Sequence, residues 1–173
     1  MAVACAAVTA SLAESAFFGH TQGAFTGARE RQKGFFEQAH GGTLLLDGVE
    51  LLDPSVQGAL LRVLEDGRVR PLGSAESVQT DVRIIAVCQG SLRDEVRRGR
   101  FREDLFFRLA AFQLEIPPLR ERSEEIGPLL RIFLQEEAGR LGKRPPALAP
   151  ETEEALLAYP WPGNLRQLKG VAH

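Results

Sequence analysis

The stretch that decides the fold is residues 41–67, "GGTLLLDGVELLDPSVQGALLRVLEDG". After two glycines, an apolar run ends at Asp47, which is typical of a strand buried on both faces of a parallel sheet. A helix signal follows, because Asp53 is a favoured N-cap, Pro54 suits the first helical position and Gly67 suits the stop. The apolar face of that helix consists of Val56, Leu60, Val63 and Leu64. The stretch therefore predicts a strand and helix of an α/β fold.

Strands and helices alternate on either side of this stretch. The opening "MAVACAAVTASLAES" predicts a strand, a turn and a helix, and "VRPLG" and "TDVRIIAVC" predict further strand, with Ile84–Val87 as a second buried run. Ser91 caps a predicted helix that ends at Gly99, and "RFREDLFFRL" predicts another short helix. "FQLEI" predicts a last strand, which Pro117 and Pro118 stop.

The last third of the chain is predicted to be helical. The predicted helices cover 123–141, 150–159 and 164–173. Asn164 is the predicted N-cap of the last of them, which reaches His173. We place a boundary at the prolines and charges of 117–122, so that an α/β domain at 1–118 precedes an all-α domain at 119–173.

Composition and charge narrow the class of protein. With 173 residues, 44% apolar and 25% charged, the chain can form a folded core. A net charge of −2 from 21 basic and 23 acidic residues excludes a chain that coats nucleic acid through its overall charge. Cys5 and Cys88 lack metal-ligand spacing and are predicted to be buried free thiols of a reducing cytoplasm. No apolar run reaches the ~20 residues of a membrane span.

Residues 23–28 read "GAFTGA" inside the run "FFGHTQGAFTGARERQKGFFEQA". Two glycines four positions apart flank Phe25, and no apolar face lies on either side. The pattern predicts a flexible tip that carries one aromatic side chain.

An apolar strand that ends in an acid is the pattern of a nucleotide-binding site in which Asp47 holds Mg²⁺. A strand that ends in a solvated Asp is an equally common alternative. Hydrolysis needs a second carboxylate, usually at the next position, and position 48 is Gly. The chain contains no G-x-x-x-x-G-K-[ST] phosphate loop.

Three arginines are candidates for contact with phosphate. Arg102 and Arg108 could project from a domain edge, or could pair with neighbouring acids such as Glu103 and Asp104. Arg166 follows "PWPGN" in a first helical turn, where a cation opposes the helix dipole. We therefore expect it to face a carboxylate or a phosphate.

Taken in order, these stretches resemble the central AAA+ ATPase domain of bacterial sigma-54-dependent transcription activators, the enhancer-binding proteins. The matching signatures are "ESAFFGHTQGAFTGA", "GFFEQAHGGTLLLD", "QGALLRVLEDGRVRPLG", "DVRIIAV", "GRFREDLFFRL", "IPPLRER" and "YPWPGNLRQL". The resemblance implies a three-layer, P-loop NTPase-like parallel sheet without its Walker A strand, followed by a small all-α lid. It also implies that the chain begins after the Walker A loop.

The resemblance further implies a cytoplasmic hexameric ring that uses ATP and Mg²⁺ to remodel the sigma-54 RNA polymerase holoenzyme. DNA would be bound only through a helix-turn-helix domain that this chain lacks, and no membrane is involved. The sigma-54 contact loop would be Gly23, Ala24, Phe25, Thr26, Gly27 and Ala28, with Phe25 and Thr26 as the contact pair.

The nucleotide roles also come from the resemblance. Asp47 matches the Mg²⁺-binding Walker B Asp, Gln89 belongs to the sensor I pair, and Arg166 matches sensor II. Arg102 and Arg108 match the arginine fingers that act on the neighbouring subunit's nucleotide.

The chain departs from the family pattern at its hydrolytic residues. The catalytic Glu after Asp47 is Gly48, the Asn that gates that Glu is Ala4, and the usual Thr-Asn of sensor I is Cys88-Gln89. We therefore expect ATP hydrolysis to be lost and the sigma-54 loop to be kept. The alternatives are an active ATPase in which Glu50 replaces the Glu, a sigma-54-binding module that needs no ATP, and a remnant without function.

Overall fold

The computed structural model describes residues 1–172, which form two compact units. The first unit runs from Met1 to Gln113 and mixes strands with helices, and the second begins at Leu114 and is helical. This arrangement confirms the predicted α/β fold with a helical second part. The end of the last predicted helix, His173, lies outside the described residues.

The elements of the first unit are the strands β1 (Ala2–Ala4), β2 (Gly42–Asp47), β3 (Arg68–Val69), β4 (Val78–Gln79) and β5 (Val82–Val87) and the helices α1 (Ala10–Phe18), α2 (Phe35–Gln38), α3 (Pro54–Asp66), α4 (Leu92–Arg97) and α5 (Glu103–Leu109). The helices of the second unit are α6 (Ile126–Arg140), α7 (Pro150–Ala158) and α8 (Asn164–Val171). Short 3-10 turns cover Cys5–Ala7, Val49–Leu51, Leu119–Glu121 and Ser123–Glu125.

Within residues 1–172, the parallel sheet has the strand order β1-β2-β5, and β3 pairs with β4 in a separate antiparallel ladder. Ala4 of β1 and Val87 of β5 both lie in register with Asp47 of β2. The carboxyl ends of the strands therefore meet at one edge of the sheet, where ligands bind in open α/β sheets.

The predicted strand and helix at 41–67 are confirmed. The Asp53 carboxylate accepts the Ser55 N–H at 2.9 Å, and Gly67 ends α3 in the left-handed conformation. Leu44 and Leu46 of β2 are fully buried, and α3 adds Val56, Leu60 and Val63 to the same core. The expectation of burial on both faces is wrong for β2, because the alternate residue Leu45 is only half-buried.

The predicted buried run at Ile84–Val87 is also only partly correct. Ile84 packs on the core, but Ile85 and Val87 are 41% and 40% exposed. Side chains alternate between the two faces of a strand, and the core of the first unit lies on the face that carries Leu44 and Leu46. The apolar run therefore marks a strand that is covered on one face within residues 1–172.

The prediction of a strand at "FQLEI" is wrong, because residues 112–116 have no strand structure. Phe112, Leu114 and Ile116 are 86%, 79% and 75% exposed. Apolar residues at every second position favour a strand only if a neighbouring strand supplies hydrogen bonds, and nothing within residues 1–172 pairs with this segment.

In the second unit, the core contains Leu119, Ile126, Leu130, Trp161 and Leu168. The Trp161 indole donates to the Leu156 carbonyl at 2.8 Å. None of the helices within residues 1–172 combines the length and apolar character that crossing a membrane requires.

Asn164 does not have the capping role that we predicted for it. Gly163 is the N-cap of α8, and the Asn164 side chain accepts the Leu119 N–H at 2.8 Å instead. Asn164 has a φ of +50°, a left-handed conformation that Asn tolerates better than most residues.

Candidate functional site

The loop that carries "GAFTGA" closes at a narrow neck between the end of α1 and the start of α2. His20 and Gln32 exchange two backbone hydrogen bonds of 3.0 Å, and Gly19 lies against Gly34. A Cβ at Gly34 would come within 2.5 Å of the Phe17 carbonyl oxygen. The neck therefore depends on a close backbone approach that only glycine allows.

The tip of the loop is a tight turn. The Gly23 N–H donates to the Ala28 carbonyl at 2.8 Å, and the Ala28 N–H donates to the Phe25 carbonyl at 3.0 Å. Phe25 is 40% exposed, and Thr26 is exposed beside it. The turn thus presents an aromatic ring and a hydroxyl together at its end.

His20, which the sequence interpretation did not single out, packs against the tip of the loop. Its ring is buried, and Nδ1 lies 2.7 Å from the Ser15 hydroxyl oxygen. The ring packs edge-on against Phe25, with centroids 5.0 Å apart. The Thr21 N–H donates to the Leu72 carbonyl at 3.0 Å, which ties the base of the loop to the segment after β3.

The predicted nucleotide residues of the first unit lie at the carboxyl edge of the sheet. Asp47 is exposed at the end of β2, and the Gly48 N–H donates to the Val87 carbonyl at 2.9 Å. The Gln89 N–H donates to Glu50 Oε1 at 3.1 Å. The structure thus brings Asp47 and Gln89 to the same edge and adds Glu50 to them.

Burial and negative charge act together on the thiols at this edge. Burial, followed by the negative charges of Glu50 and Asp47, raises the pKa of Cys5 to about 11. Burial, followed by Glu50, also raises the pKa of Cys88. Both cysteines are free, as predicted, although Cys88 is only half-buried.

The residues at this edge fit ATP and Mg²⁺ incompletely. Asp47 offers one carboxylate, but Gly48 offers none, and Glu50 Oε1 is engaged by the Gln89 N–H. Gly48 has a φ of +76°, so its backbone conformation itself disfavours a glutamate. We therefore derive no hydrolytic step for this chain.

Arg102 and Arg108 contact the first unit's own residues. Arg102 holds Asp104 through two hydrogen bonds of 3.0 and 2.7 Å, which lowers the pKa of that carboxyl, and half of its side chain is exposed. Arg108 donates to the Leu64 carbonyl of α3 at 2.8 Å. The ion-pair alternative is thus realised for Arg102 and Asp104.

Gln57 is a second residue that the sequence interpretation missed. It is 1% exposed, and its side-chain amide bonds the backbone at Leu52, Arg100 and Arg102. The feature of the sequence that could have indicated this role is the position of Gln57, a polar residue on the otherwise apolar face of α3.

Arg166 lies in α8 of the second unit and is exposed. No carboxylate within residues 1–172 forms an ion pair with it. The anionic partner that its position in the first helical turn predicts is therefore not another side chain of the described residues.

Two family models together match all of the chain except residues 116–119. Residues 1–115 match the model of the sigma-54 interaction domain, and residues 120–173 match that of the AAA+ ATPase lid domain. The chain is similar to the transcriptional regulator NtrC of Escherichia coli (50% identity over 99% of this chain and 36% of NtrC). It is also similar to the hydrogenase regulator HoxA of Cupriavidus necator (46%, over 95% of this chain and 34% of HoxA) and to the sigma-54-dependent regulator SfnR of Pseudomonas fluorescens (44%, over 100% of this chain and 47% of SfnR).

Among solved structures, NtrX of Brucella abortus in complex with ADP is similar, with a TM-score of 0.89, 35% identity, and 99% of this chain and 37% of that chain covered. Yeast Hsp104 bound to casein, at 22% identity and a TM-score of 0.68, shares the fold. The chain spans between about a third and a half of the length of the curated relatives named above. The chain belongs to the sigma-54 interaction domain family, the AAA+ module of sigma-54-dependent transcriptional regulators.

Proposed function

We propose that this chain contacts the sigma-54 RNA polymerase holoenzyme through residues 23–28. The observation that carries the proposal is the closed turn at 23–28, which leaves Phe25 partly exposed and Thr26 exposed at its end. An exposed aromatic side chain can bury its ring in a partner, and aromatic residues dominate the binding energy of many interfaces. Gly23 and Gly27 flank the pair and allow the tip to change its conformation.

The proposal assigns further residues to a nucleotide site shared between subunits of a hexameric ring. Asp47 takes the Mg²⁺ position, Gln89 and Arg166 lie on the nucleotide side, and Arg102 and Arg108 act on the nucleotide of the adjacent subunit. NtrX structures with ADP and with ATP support nucleotide binding in the family.

In this chain we propose that hydrolysis is lost. Gly48 replaces the acid that would orient water, and such groups typically raise the rate of hydrolysis about 10² to 10⁴-fold.

We also propose that the chain divides into two domains, residues 1–118 and 119–173. The protein acts in the bacterial cytoplasm, and it reaches DNA only through a separate helix-turn-helix domain.

Capture of sigma-54 holoenzyme on immobilised chain tests the proposal. Phe25→Ala should weaken capture about tenfold or more, because it removes the exposed ring, whereas Asp47→Ala should leave capture unchanged. Leu12→Ala is a matched control, since Leu12 is 54% exposed on α1, outside the loop. Equal effects of Phe25→Ala and Leu12→Ala would refute the loop contact.

ATP hydrolysis within the longer protein is a second candidate function. One observation favours it: Glu50 Oε2 is buried and has no hydrogen-bond partner within residues 1–172. Phosphate release by the longer protein should then disappear in Glu50→Ala. Glu37→Ala is the control, because Glu37 Oε1 is also buried without a hydrogen-bond partner, and Glu37 pairs with Arg31, away from this edge. Unchanged turnover in Glu50→Ala would exclude this candidate.

A further inference from the structure

Gln57 has the most deeply buried polar side chain within residues 1–172. Gln57 lies on the first turns of α3 and is 1% exposed, with both ends of its amide engaged. Nε2 donates to the Leu52 carbonyl at 2.9 Å and to the Arg100 carbonyl at 3.1 Å, and Oε1 accepts the Arg102 N–H at 2.9 Å. A side chain satisfied in this way within a core is held in one position.

These three bonds join segments that are far apart in the sequence. The Leu52 carbonyl belongs to the turn that follows β2 and Asp47, and the other two backbone groups belong to the segment that leads into α5. One buried amide therefore links the carboxyl edge of the sheet to the backbone of Arg102.

Other contacts also hold the segment from Arg100 to Arg102, among them the two hydrogen bonds from the Arg100 guanidinium to Glu95 and the Phe106 N–H, which donates to the Arg102 carbonyl at 3.0 Å. The Arg100 N–H and the Phe101 N–H both donate to the Glu95 carbonyl, at 2.9 and 3.3 Å, and the Phe101 ring is buried. The Arg102 guanidinium is half exposed and pairs with Asp104 of the same turn. Such an exposed ion pair fixes the backbone only weakly.

We propose that Gln57 is the positioning residue of Arg102. Its amide fixes the Arg102 backbone and thereby the point and the direction from which the guanidinium extends into solvent. The inference rests on the proposed function, in which Arg102 acts on a phosphate of an adjacent subunit. Gln57 touches neither nucleotide nor sigma-54 and acts only through the Arg102 backbone. A displacement of about 1 Å at such a group can lower the rate by about 10²-fold.

Amide hydrogen exchange of the intact chain tests the positioning directly. Gln57→Met keeps the volume but removes all three bonds, and the Arg102 amide should exchange at least about tenfold faster, with the centre of α3 unchanged. Val56→Ala is the matched control: Val56 is fully buried next to Gln57, and its truncation destabilises the core without touching the Arg102 amide. Equal effects of the two variants on Arg102 exchange would overturn the proposal.

A mixed assembly adds the functional measurement. A hydrolysis-competent sigma-54 activator subunit that lacks its own trans-acting arginines is mixed with the chain, and phosphate release is recorded. Gln57→Met should lower the rate about tenfold or more at unchanged KM for ATP, as Arg102→Ala does, while Val56→Ala should not.

The two measurements separate failure of the inference from failure of the proposed function. If the wild-type chain restores no phosphate release, the arginine role of the proposed function fails, and the exchange measurement alone decides whether Gln57 positions Arg102. If Arg102→Ala abolishes release and Gln57→Met does not, the positioning role is refuted while the arginine role stands.

Discussion

At the scale of the residue, position 48 shows how local backbone and chemistry are linked. The Gly48 φ of +76° is favourable only for glycine, and its N–H is used by the Val87 carbonyl. A non-glycine residue in the left-handed conformation costs about 1–2 kcal/mol. A Gly48→Glu substitution would therefore place a non-glycine residue in the left-handed conformation and strain the backbone at this position.

Folding shifts the ionisation of the Cys5 thiol. Its folded-state pKa of about 11 lies above the ordinary value, so the thiolate is favoured in the unfolded chain. The contribution of Cys5 to stability is complete below pH ~9 and is lost as the pH rises through the folded-state pKa. Urea unfolding at pH 8 and pH 10 should show a loss of stability at pH 10 that is smaller in Cys5→Ala. The same loss in both proteins would contradict the assignment.

At the scale of the element, the loop neck and the turn before α8 both depend on unusual backbone. The neck brings Gly19 and Gly34 into close approach, and the turn holds Trp161 and Asn164 at φ values of +46° and +50°. Non-glycine residues keep such conformations only where the surroundings require them, and Trp161 is fully buried.

Gly34→Ala should open the neck of the loop. The new Cβ would meet backbone atoms of Phe17 and Phe18 at 2.5 Å, so main chain has to move, and we expect a loss of about 2–4 kcal/mol in urea unfolding. Sigma-54 capture should fall with it.

The control for this change is Gly58→Ala in α3. Its Cβ would lie 3.8 Å from an Arg102 side-chain nitrogen, an ordinary contact, and the helix should gain up to about 1 kcal/mol. A Gly34→Ala protein as stable as Gly58→Ala would show that the neck tolerates a side chain.

Asn164 combines a backbone role and a side-chain role that substitutions can separate. Asn164→Gly keeps the left-handed conformation but loses the bond to the Leu119 N–H, which costs about 1 kcal/mol. Asn164→Ala loses both and should cost about 2–3 kcal/mol in thermal or urea unfolding. Asn164→Asp, which keeps the acceptor, should lie nearest the wild type. Equal losses of stability in the Gly and Ala variants would show that the left-handed backbone at position 164 makes no contribution.

At the scale of the whole molecule, residues 1–172 leave apolar surface uncovered, and two segments with apolar residues at every second position contribute to it. The outer face of β5 exposes Ile85 and Val87, and the segment 112–116 exposes Phe112, Leu114 and Ile116. Exposed apolar residues on and near an edge strand such as β5 favour association between molecules.

The average molecular mass of the isolated chain, measured by light scattering, should therefore rise with concentration. Replacing Leu114 by Lys should reduce the scattering and leave the Tm within about 1 °C, because the side chain has little packing to lose. Leu141→Lys is the control: Leu141 is 55% exposed at the end of α6, away from this segment. If both variants lower the scattering equally, general charge explains the effect and the segment does not.

Much of the fold and of the candidate site could be predicted from the sequence. Short-range patterns were sufficient to predict β2 and α3. For α3, Asp53, Pro54 and Gly67 mark the two ends of the helix, and each acts on backbone close to it in the sequence. The motif order predicted the loop at 23–28 and the family. Patterns could not predict the contact of His20 with Phe25, because it depends on how the loop folds back on itself. They could not predict the role of Gln57, because its amide bonds a segment that is distant in sequence.

The sequence by itself determined β2 and α3, the family and the missing acid at position 48, since these depend on residue identity and local spacing. Only the tertiary structure decided which apolar strand face is covered, why "FQLEI" forms no strand, and that Asn164 serves Leu119 instead of its own helix. The physical reason is the same in each case. Burial and hydrogen-bond partners are properties of neighbours in space, and a periodic pattern specifies one side of a contact without its partner.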